Sequence, residues 1–556
     1  MKRIHLTAIL LLGLLIAVAA PTAGAAGEPS PRGEENAKTT DVQILALNDF
    51  HGQLRPPDAT SSGGRIGATP AGGAEFLAGY VRTLRADNPN TLFVSAGDLI
   101  GATPLISAAF HDEPTIELFN LMDLDYNGVG NHEFDEGIPE LLRMQFGGCH
   151  PVDGCQDGDG FAGASFDFLA ANVTYKSTGE TIFPPYAIHH FPGVKVAIVG
   201  MTLEGTPTVV TQSAIEPVNF HDEADTVNAL VPELKKQGIE TIIVLLHEGG
   251  SAGPLNETTL NQCNNPTGPI VDVVQRMDRE IDLVVTGHTN WGINCPNFAG
   301  TGIMLTGAAS VGRVVTDVDL SLSRASKDVV GASINNVIVR REDDKKALAP
   351  DVTALIDKYG TLVAPTENRI IGEASVELTR TAAANGESVL GDHIADAQLL
   401  ATLPAGAVVS FMNPGGIRAN LNAGPITYGE AFSVQPFANI LVTMDMTGAN
   451  IDAVLEQQTP GTTLQIPASL TYDRNFSAPA GERISNIRIN GVPLDPLATY
   501  RVTVNNFLAD GGDGFTVFRT GTNRFFGQID LDAFVAYITA NSPLGLTPLN
   551  RINVVG

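Results

Sequence analysis

The chain has few positive charges for its size. Among 556 residues there are 33 Lys and Arg against 61 Asp and Glu, a formal charge of −28. Such a surface repels polyanions and lacks the basic footprint of a nucleic-acid binder, so no nucleic-acid polymer is expected as partner. A small anionic substrate stays admissible where local cations overcome the field. Long apolar runs are also missing: past the first 25 residues there is no stretch of about 20 apolar residues able to cross a bilayer. Cysteine is scarce, with four in all, and no pair is spaced C-x-x-C, which argues against a zinc site built from them. Cys149, Cys155, Cys263 and Cys295 suit an oxidising compartment instead. Three pairings are open; the reading prefers Cys149 with Cys155, closing "CHPVDGC", and Cys263 with Cys295.

What is present begins with a leader pattern. Lys2 and Arg3 precede an apolar run from about Leu6 to Ala20, followed by Ala23-Gly24-Ala25. Residues 1–25 read as a secretory signal peptide, because the run is short for a bilayer of roughly 30 Å and Pro21 with Ala-x-Ala favours cleavage. The expected location is therefore secreted or cell-envelope. Residues 26–40, polar and Pro-bearing, read as a flexible lead-in.

With 43% hydrophobic residues the rest can bury cores, and it is too long for one. Short β-branched runs, "VQILALND", "TLFVSAGD", "VKVAIVGMT", "TIIVLLHEGG", "IDLVVTGHTN" and "GIMLTGAAS", alternate with helical patterns such as "GAEFLAGYVRTLRAD" and "DTVNALVPELKKQG". That alternation predicts α/β architecture over residues 41–340. A helical linker follows at 341–364, its helix ending at Gly360, and residues 365–556 read as a second α/β domain. "SSGGRIGATPAGGAEF" lacks the Lys-Ser or Lys-Thr of a P-loop and reads as a loop leading to a helix.

Polar residues recur at the ends of the N-terminal strands, where ligands of open α/β sheets bind. One run ends in Asp49-Phe50-His51 and another in Gly97-Asp98; a third leads into Asn131-His132; later ones end at His247 and at His288-Thr289-Asn290. One such histidine would be unremarked. Five separate runs supplying carboxylate, amide oxygen and imidazole, with no thiolate, suit a pair of divalent cations on which a phosphate could sit.

The blocks "LALNDFHGQL", "SAGDLIGATP", "GNHEFDEG", "LLHEGG" and "VVTGHTNWG" resemble, in order, those of the calcineurin-like metallophosphoesterases. The C-terminal half resembles the second domain of secreted 5'-nucleotidases of that superfamily. The resemblance implies an N-terminal β-sandwich flanked by helices and a C-terminal α/β substrate-binding domain. It implies two divalent ions such as Mn²⁺, Zn²⁺ or Co²⁺: Asp49 and His51 on the first, Asp98 bridging, Asn131, His247 and His288 on the second. Asn290 stands where some members carry a glutamine toward the first ion. A hydroxide held by the two ions would attack phosphorus, with His132 stabilising the phosphoryl charge and Asp135 orienting its ring. Glu133 is a supporting residue in this scheme.

In the second half, "NPGGIRAN" offers Asn413 and Arg418, "VQPFANI" offers Phe437, and "NNFLADGGDGF" offers Phe507 and Asp513. By the same resemblance the two rings sandwich a base and Asp513 holds the ribose hydroxyls; Arg380 is a second candidate arginine. Rotation between domains about Lys358–Gly360 is a further implication. The leading function is thus a 5'-nucleotidase acting on a small nucleotide. The alternatives are a 2',3'-cyclic-nucleotide phosphodiesterase with 3'-nucleotidase activity, a UDP-sugar diphosphatase, and a nucleotide-binding surface protein without catalysis.

Overall fold

The structure, a computed structural model, describes residues 38–59 and 62–555. The signal peptide and most of the lead-in lie outside the described residues. Alternating side chains on each strand decide the N-terminal architecture, because neighbours on a strand face opposite sides of its sheet. In Thr39–Leu47, Val42, Ile44 and Ala46 enter one core while Leu45 and Leu47 enter another. Ile243 and Leu245 of Thr241–His247 join the first of these cores, while Val244 and Leu246 face a third.

The shared core lies between two six-stranded mixed sheets. The first runs in the order 329–338, 314–323, 39–47, 91–95, 126–128, 167–169. The second runs 292–295, 304–308, 283–286, 241–247, 194–202, 186–191. Helices Ala74–Arg85 and Pro350–Glu367 cover the outer face of the first sheet, and Glu223–Lys236 and Pro269–Arg276 that of the second. The result is a sandwich flanked by helices. Its first strand takes in Thr39 and Thr40, assigned above to the lead-in, because they pair with Ser323 and Leu322.

The helix of the linker differs from expectation: it continues through Gly360 to Glu367. Tyr359 and Val363 are buried in the N-terminal core, and this packing outweighs the poor helix propensity of glycine. Gly360 serves another purpose, since a Cβ there would lie 2.9 Å from the Arg55 guanidinium, which pairs with Glu367 at 2.7 Å.

The C-terminal half holds a four-stranded sheet in the order 409–411, 499–505, 440–447, 522–529. Helices Val389–Thr402 and Asp530–Asn541 and a second four-stranded sheet complete it. Tyr428 and Phe432, on helix Tyr428–Val434, pack against the cores of both halves. Disulfides join Cys149 to Cys155 and Cys263 to Cys295. No helix among the described residues is long and apolar enough to cross a membrane.

Candidate active site

The ends of strands from both N-terminal sheets converge on one buried polar cluster. Asp49, His51, Asp98, Asn131 and His247 are all buried, and His288 is half-buried at its edge. Asp98 belongs to two donor groups, one with His51 and His132 and one with His247 and His288. His247 Nε2 lies 3.0 Å from Asp98 Oδ2 and 3.2 Å from Asn131 Oδ1, and His288 Nδ1 lies 2.9 Å from the same amide oxygen. His51 Nε2 is 3.9 Å from both Asp49 Oδ1 and Asp98 Oδ2. Asn290 donates its amide to the His288 carbonyl at 3.2 Å.

The backbone is bent to bring these groups together. Asp49, His51, Asp98, His288 and Asn290 all have positive φ, between 48° and 67°. Such conformations cost about 1–3 kcal/mol each and persist where the surroundings enforce them. Glu133 is one enforcing element: its carboxylate accepts from the backbone N–H groups of Asp98 (3.0 Å), Leu99 (2.8 Å) and Gly130 (2.7 Å). It ties the Asp98 loop to the Asn131 loop. Gly130 permits the contact, since a Cβ there would meet Asp98 Oδ1 at 2.3 Å.

Outer partners orient the imidazoles. His51 Nδ1 is 2.9 Å from the Gly101 carbonyl and His247 Nδ1 is 2.7 Å from the Ala96 carbonyl, so each ring donates outward and presents Nε2 inward. His132 Nδ1 lies 2.7 Å from Asp135 Oδ2. Burial would lower the His132 pKa, but the Asp135 and Asp98 carboxylates outweigh it and hold it at about 8. Burial likewise opposes charge on His247, yet Asp98 raises it to about 10. Burial takes His51 down to about 3 and, with His247 beside it, His288 to about 4. Asp49 is pushed up to about 7 by burial, Asp98 adding to the effect.

A cavity of about 200 Å³ opens beside this cluster. From the N-terminal half it is lined by Asn131, His132, Asp135 and His288; from the C-terminal half by Asn413, Arg418, Phe437, Phe507 and Asp513. The Phe437 ring stacks toward His132, with centroids 5.8 Å apart at 13°, and Arg418 sits 5.7 Å from the Phe437 centroid. Phe507 lies over the backbone of Gly512, where a Cβ would come within 2.4 Å of the ring. Asn413 donates to Asp513 at 2.8 Å. Arg380 is absent from the lining; its Nη1 holds the Ile417 carbonyl at 2.6 Å, close enough to Arg418 for the two charges to repel.

Three further parts of the wall were not singled out by sequence patterns. Asn505 donates to Asn413 at 3.1 Å, and Asn439 and Val209-Val210-Thr211 also line the cavity. Asn505 ends a strand two residues before Phe507, which is a readable signal; the Val209–Thr211 loop carries none.

A family model described as "Calcineurin-like phosphoesterase" matches residues 42–291, and one described as "5'-nucleotidase, C-terminal domain" matches residues 370–520. The cell wall protein Lmo0130 of Listeria monocytogenes is 30% identical over 97% of this chain and 71% of its own length. The chain belongs to the calcineurin-like phosphoesterases with a 5'-nucleotidase C-terminal domain. Members of this phosphoesterase family are metal-dependent phosphoester hydrolases. Endonuclease YhcR of Bacillus subtilis is 33% identical over 92% of this chain, which spans 41% of that longer relative. Among solved structures, a 5'-nucleotidase precursor of Thermus thermophilus is 28% identical, with a TM-score of 0.74 over 93% of this chain and 99% of the other.

The residues fit the divalent metal that this phosphoesterase family implies. Asp49 Oδ1 is buried and has no hydrogen-bond partner, an arrangement rare in folded proteins unless a cation completes it. Imidazole, carboxylate and amide oxygen form a donor set suited to divalent ions of the Mn²⁺ to Zn²⁺ range.

Proposed function

We propose that the protein is a secreted 5'-nucleotidase that releases phosphate from nucleoside 5'-monophosphates. The observation that carries this reading is the single cavity lined by His132 and His288 from one half and by Phe437, Phe507 and Asp513 from the other. A nucleotide has the same layout: an anion at one end, a flat base and a diol at the other.

Asp49, His51, Asp98, Asn131, His247 and His288 would hold two divalent ions, with Asp98 shared and Asn290 beside the first. Bound there, the ions supply positive charge to the phosphoryl oxygens and acidify water. The chain's own groups do the rest. His132, kept charged by Asp135, donates from Nε2 to a phosphoryl oxygen as negative charge builds on it. Arg418 adds a second cation, and its repulsion with Arg380 is relieved when an anion enters. Phe437 and Phe507 sandwich the base by stacking, which every base supports. Asp513, already aligned by Asn413, accepts hydrogen bonds from the ribose hydroxyls. Secretion is supported by the leader pattern and by two disulfides.

The test is hydrolysis of 5'-, 3'- and 2',3'-cyclic nucleotides, UDP-sugars and DNA, each with Mn²⁺, Co²⁺ or Zn²⁺, followed by identification of the products, since only a phosphomonoester yields free phosphate. The expected result is preference for 5'-monophosphates, abolished by chelation and restored by metal. A clear preference for UDP-sugars, cyclic nucleotides or DNA would replace this reading, and activity indifferent to chelators would end it.

A further inference from the structure

Asn413 and Asn505 sit at the ends of two neighbouring parallel strands, 409–411 and 499–505, so two loops 92 residues apart in sequence meet at the cavity wall. Both side chains are buried, and both line the cavity. Asn505 Oδ1 accepts the Leu508 backbone N–H at 2.8 Å and so caps the one-turn helix Asn506–Ala509, which carries Phe507. Asn505 Nδ2 donates to Asn413 Oδ1 at 3.1 Å, and Asn413 Nδ2 donates to Asp513 Oδ2 at 2.8 Å.

The direction of this relay is fixed at both ends. A backbone N–H only donates and an ionised carboxylate only accepts, so each amide between them has one orientation that satisfies its neighbours. Were Asn505 turned over, its amide nitrogen would face the Leu508 N–H and its oxygen would face the Asn413 oxygen. Asn413 would then turn as well and set an oxygen against Asp513 Oδ2. Buried groups resist such pairings, because an unmet donor or acceptor carries its full desolvation cost. Asp513 depends on the support. Its backbone φ is 53°, and burial pushes its pKa up while the Asn413 bond opposes that and favours the acceptor form.

We propose that Asn505 is a positioning residue for substrate binding: its one amide sets the Phe507 ring, through the helix it caps, and the Asp513 carboxylate, through Asn413. The inference rests on the reading of Asp513 as the ribose acceptor and adds the residue that aims it. Base and diol belong to one nucleoside, so a site that fixes both partners from a single point keeps ring and carboxylate correctly spaced. Asn505 acts on binding, since His132 and His288 line the cavity from the other half.

Full-length wild type, N505D and N505S are assayed with adenosine 5'-monophosphate and with its 2',3'-dideoxy counterpart, which keeps base and phosphate and lacks the diol. N505D is nearly isosteric and keeps an oxygen for the Leu508 N–H. It faces Asn413 with a second oxygen, so Asn413 turns and presents its own oxygen to Asp513. N505S can still cap the helix and is too short to reach Asn413. Wild type is expected to favour the diol-bearing substrate by about tenfold or more in kcat/KM, the scale of a hydrogen bond to a charged group. In both variants that preference should fall to about twofold or less, with KM for the full nucleotide rising about tenfold and kcat little changed. A residue that only caps the helix would move both substrates alike and leave their ratio intact, so a ratio retained in either variant overturns the proposal. Wild type indifferent to the diol would overturn the ribose reading of Asp513, and this inference with it.

Discussion

Asp98 and His132 sit within one hydrogen-bond network, since the His132 backbone N–H donates to Asp98 Oδ1 at 2.9 Å, yet their surroundings assign them different work. Asp98 is the member common to both donor groups, whereas the His132 ring also lines the cavity. Asp98→Ala is therefore expected to lose metal and activity together. His132→Ala should keep near-normal metal content while turnover falls by about 10²–10³-fold, the scale of a lost charge-stabilising donor. If both variants lose metal equally, the division of roles is wrong. The shifted pKa values give a second prediction. Without metal His247 keeps a proton below about 10 and Asp49 below about 7, while His51 and His288, at about 3 and 4, are already neutral near pH 7. Metal binding displaces the His247 proton above and below pH 7, and that of Asp49 mainly below it. Apparent affinity should then rise about tenfold per pH unit on the alkaline side of neutrality and more steeply on the acid side. Titration of chelator-treated protein with Mn²⁺ across that range checks this, and a flat affinity would contradict it.

At the scale of elements, the cluster exists because hydrophobic strands stop where their loops turn sharply into left-handed backbone. This much is legible in sequence: "LALND", "SAGD" and "LLH" are apolar runs that end on a metal-competent side chain. The hairpin of strands 314–323 and 329–338 is less legible, since half of its second strand is exposed and the one residue it buries is the polar Asn336, so its Val and Ile residues do not mark a core face. The Val209–Thr211 wall is illegible for another reason. Its place in the cavity comes from the approach of the C-terminal half, and nothing local encodes that approach. Gly360 misleads because a glycine usually ends a helix, and the burial of Tyr359 lies outside what local propensity reports. Phe507 illustrates an element with a separable job. It sits two residues past a strand, in the one-turn helix Asn506–Ala509 that Asn505 caps, and its ring packs against Gly512 and lines the cavity. Stacking on a base is worth about 1–3 kcal/mol, so Phe507→Ala should raise KM for nucleotides by about tenfold or more. The same variant should leave hydrolysis of a small aryl phosphate nearly unchanged. Equal losses on both substrates would return Phe507 to a packing role.

For the molecule as a whole, the decisive joint is helix Pro350–Glu367, because the cavity needs both halves and this helix connects them. Its middle is held to the N-terminal half. Tyr359 is fully buried, its ring is 4.8 Å from that of Phe110, and its hydroxyl donates to Glu117 (2.9 Å) and Asp157 (3.0 Å). Lys358 adds an ion pair to Asp157 at 2.7 Å. Its end is held more lightly, by the partly exposed Arg55–Glu367 pair. These two attachments should differ in what their loss does. Tyr359→Ala removes a buried aromatic ring and the hydroxyl that Glu117 accepts from, while Asp157 keeps Lys358, so it is expected to destabilise the N-terminal half by about 3–5 kcal/mol. Arg55→Ala removes a solvent-screened ion pair and should cost no more than about 1 kcal/mol. Denaturant unfolding of both variants separates the cases. If Tyr359→Ala proves as mild as Arg55→Ala, the helix is not anchored at its middle, and the two halves would pivot within the helix instead of at its C-terminal end.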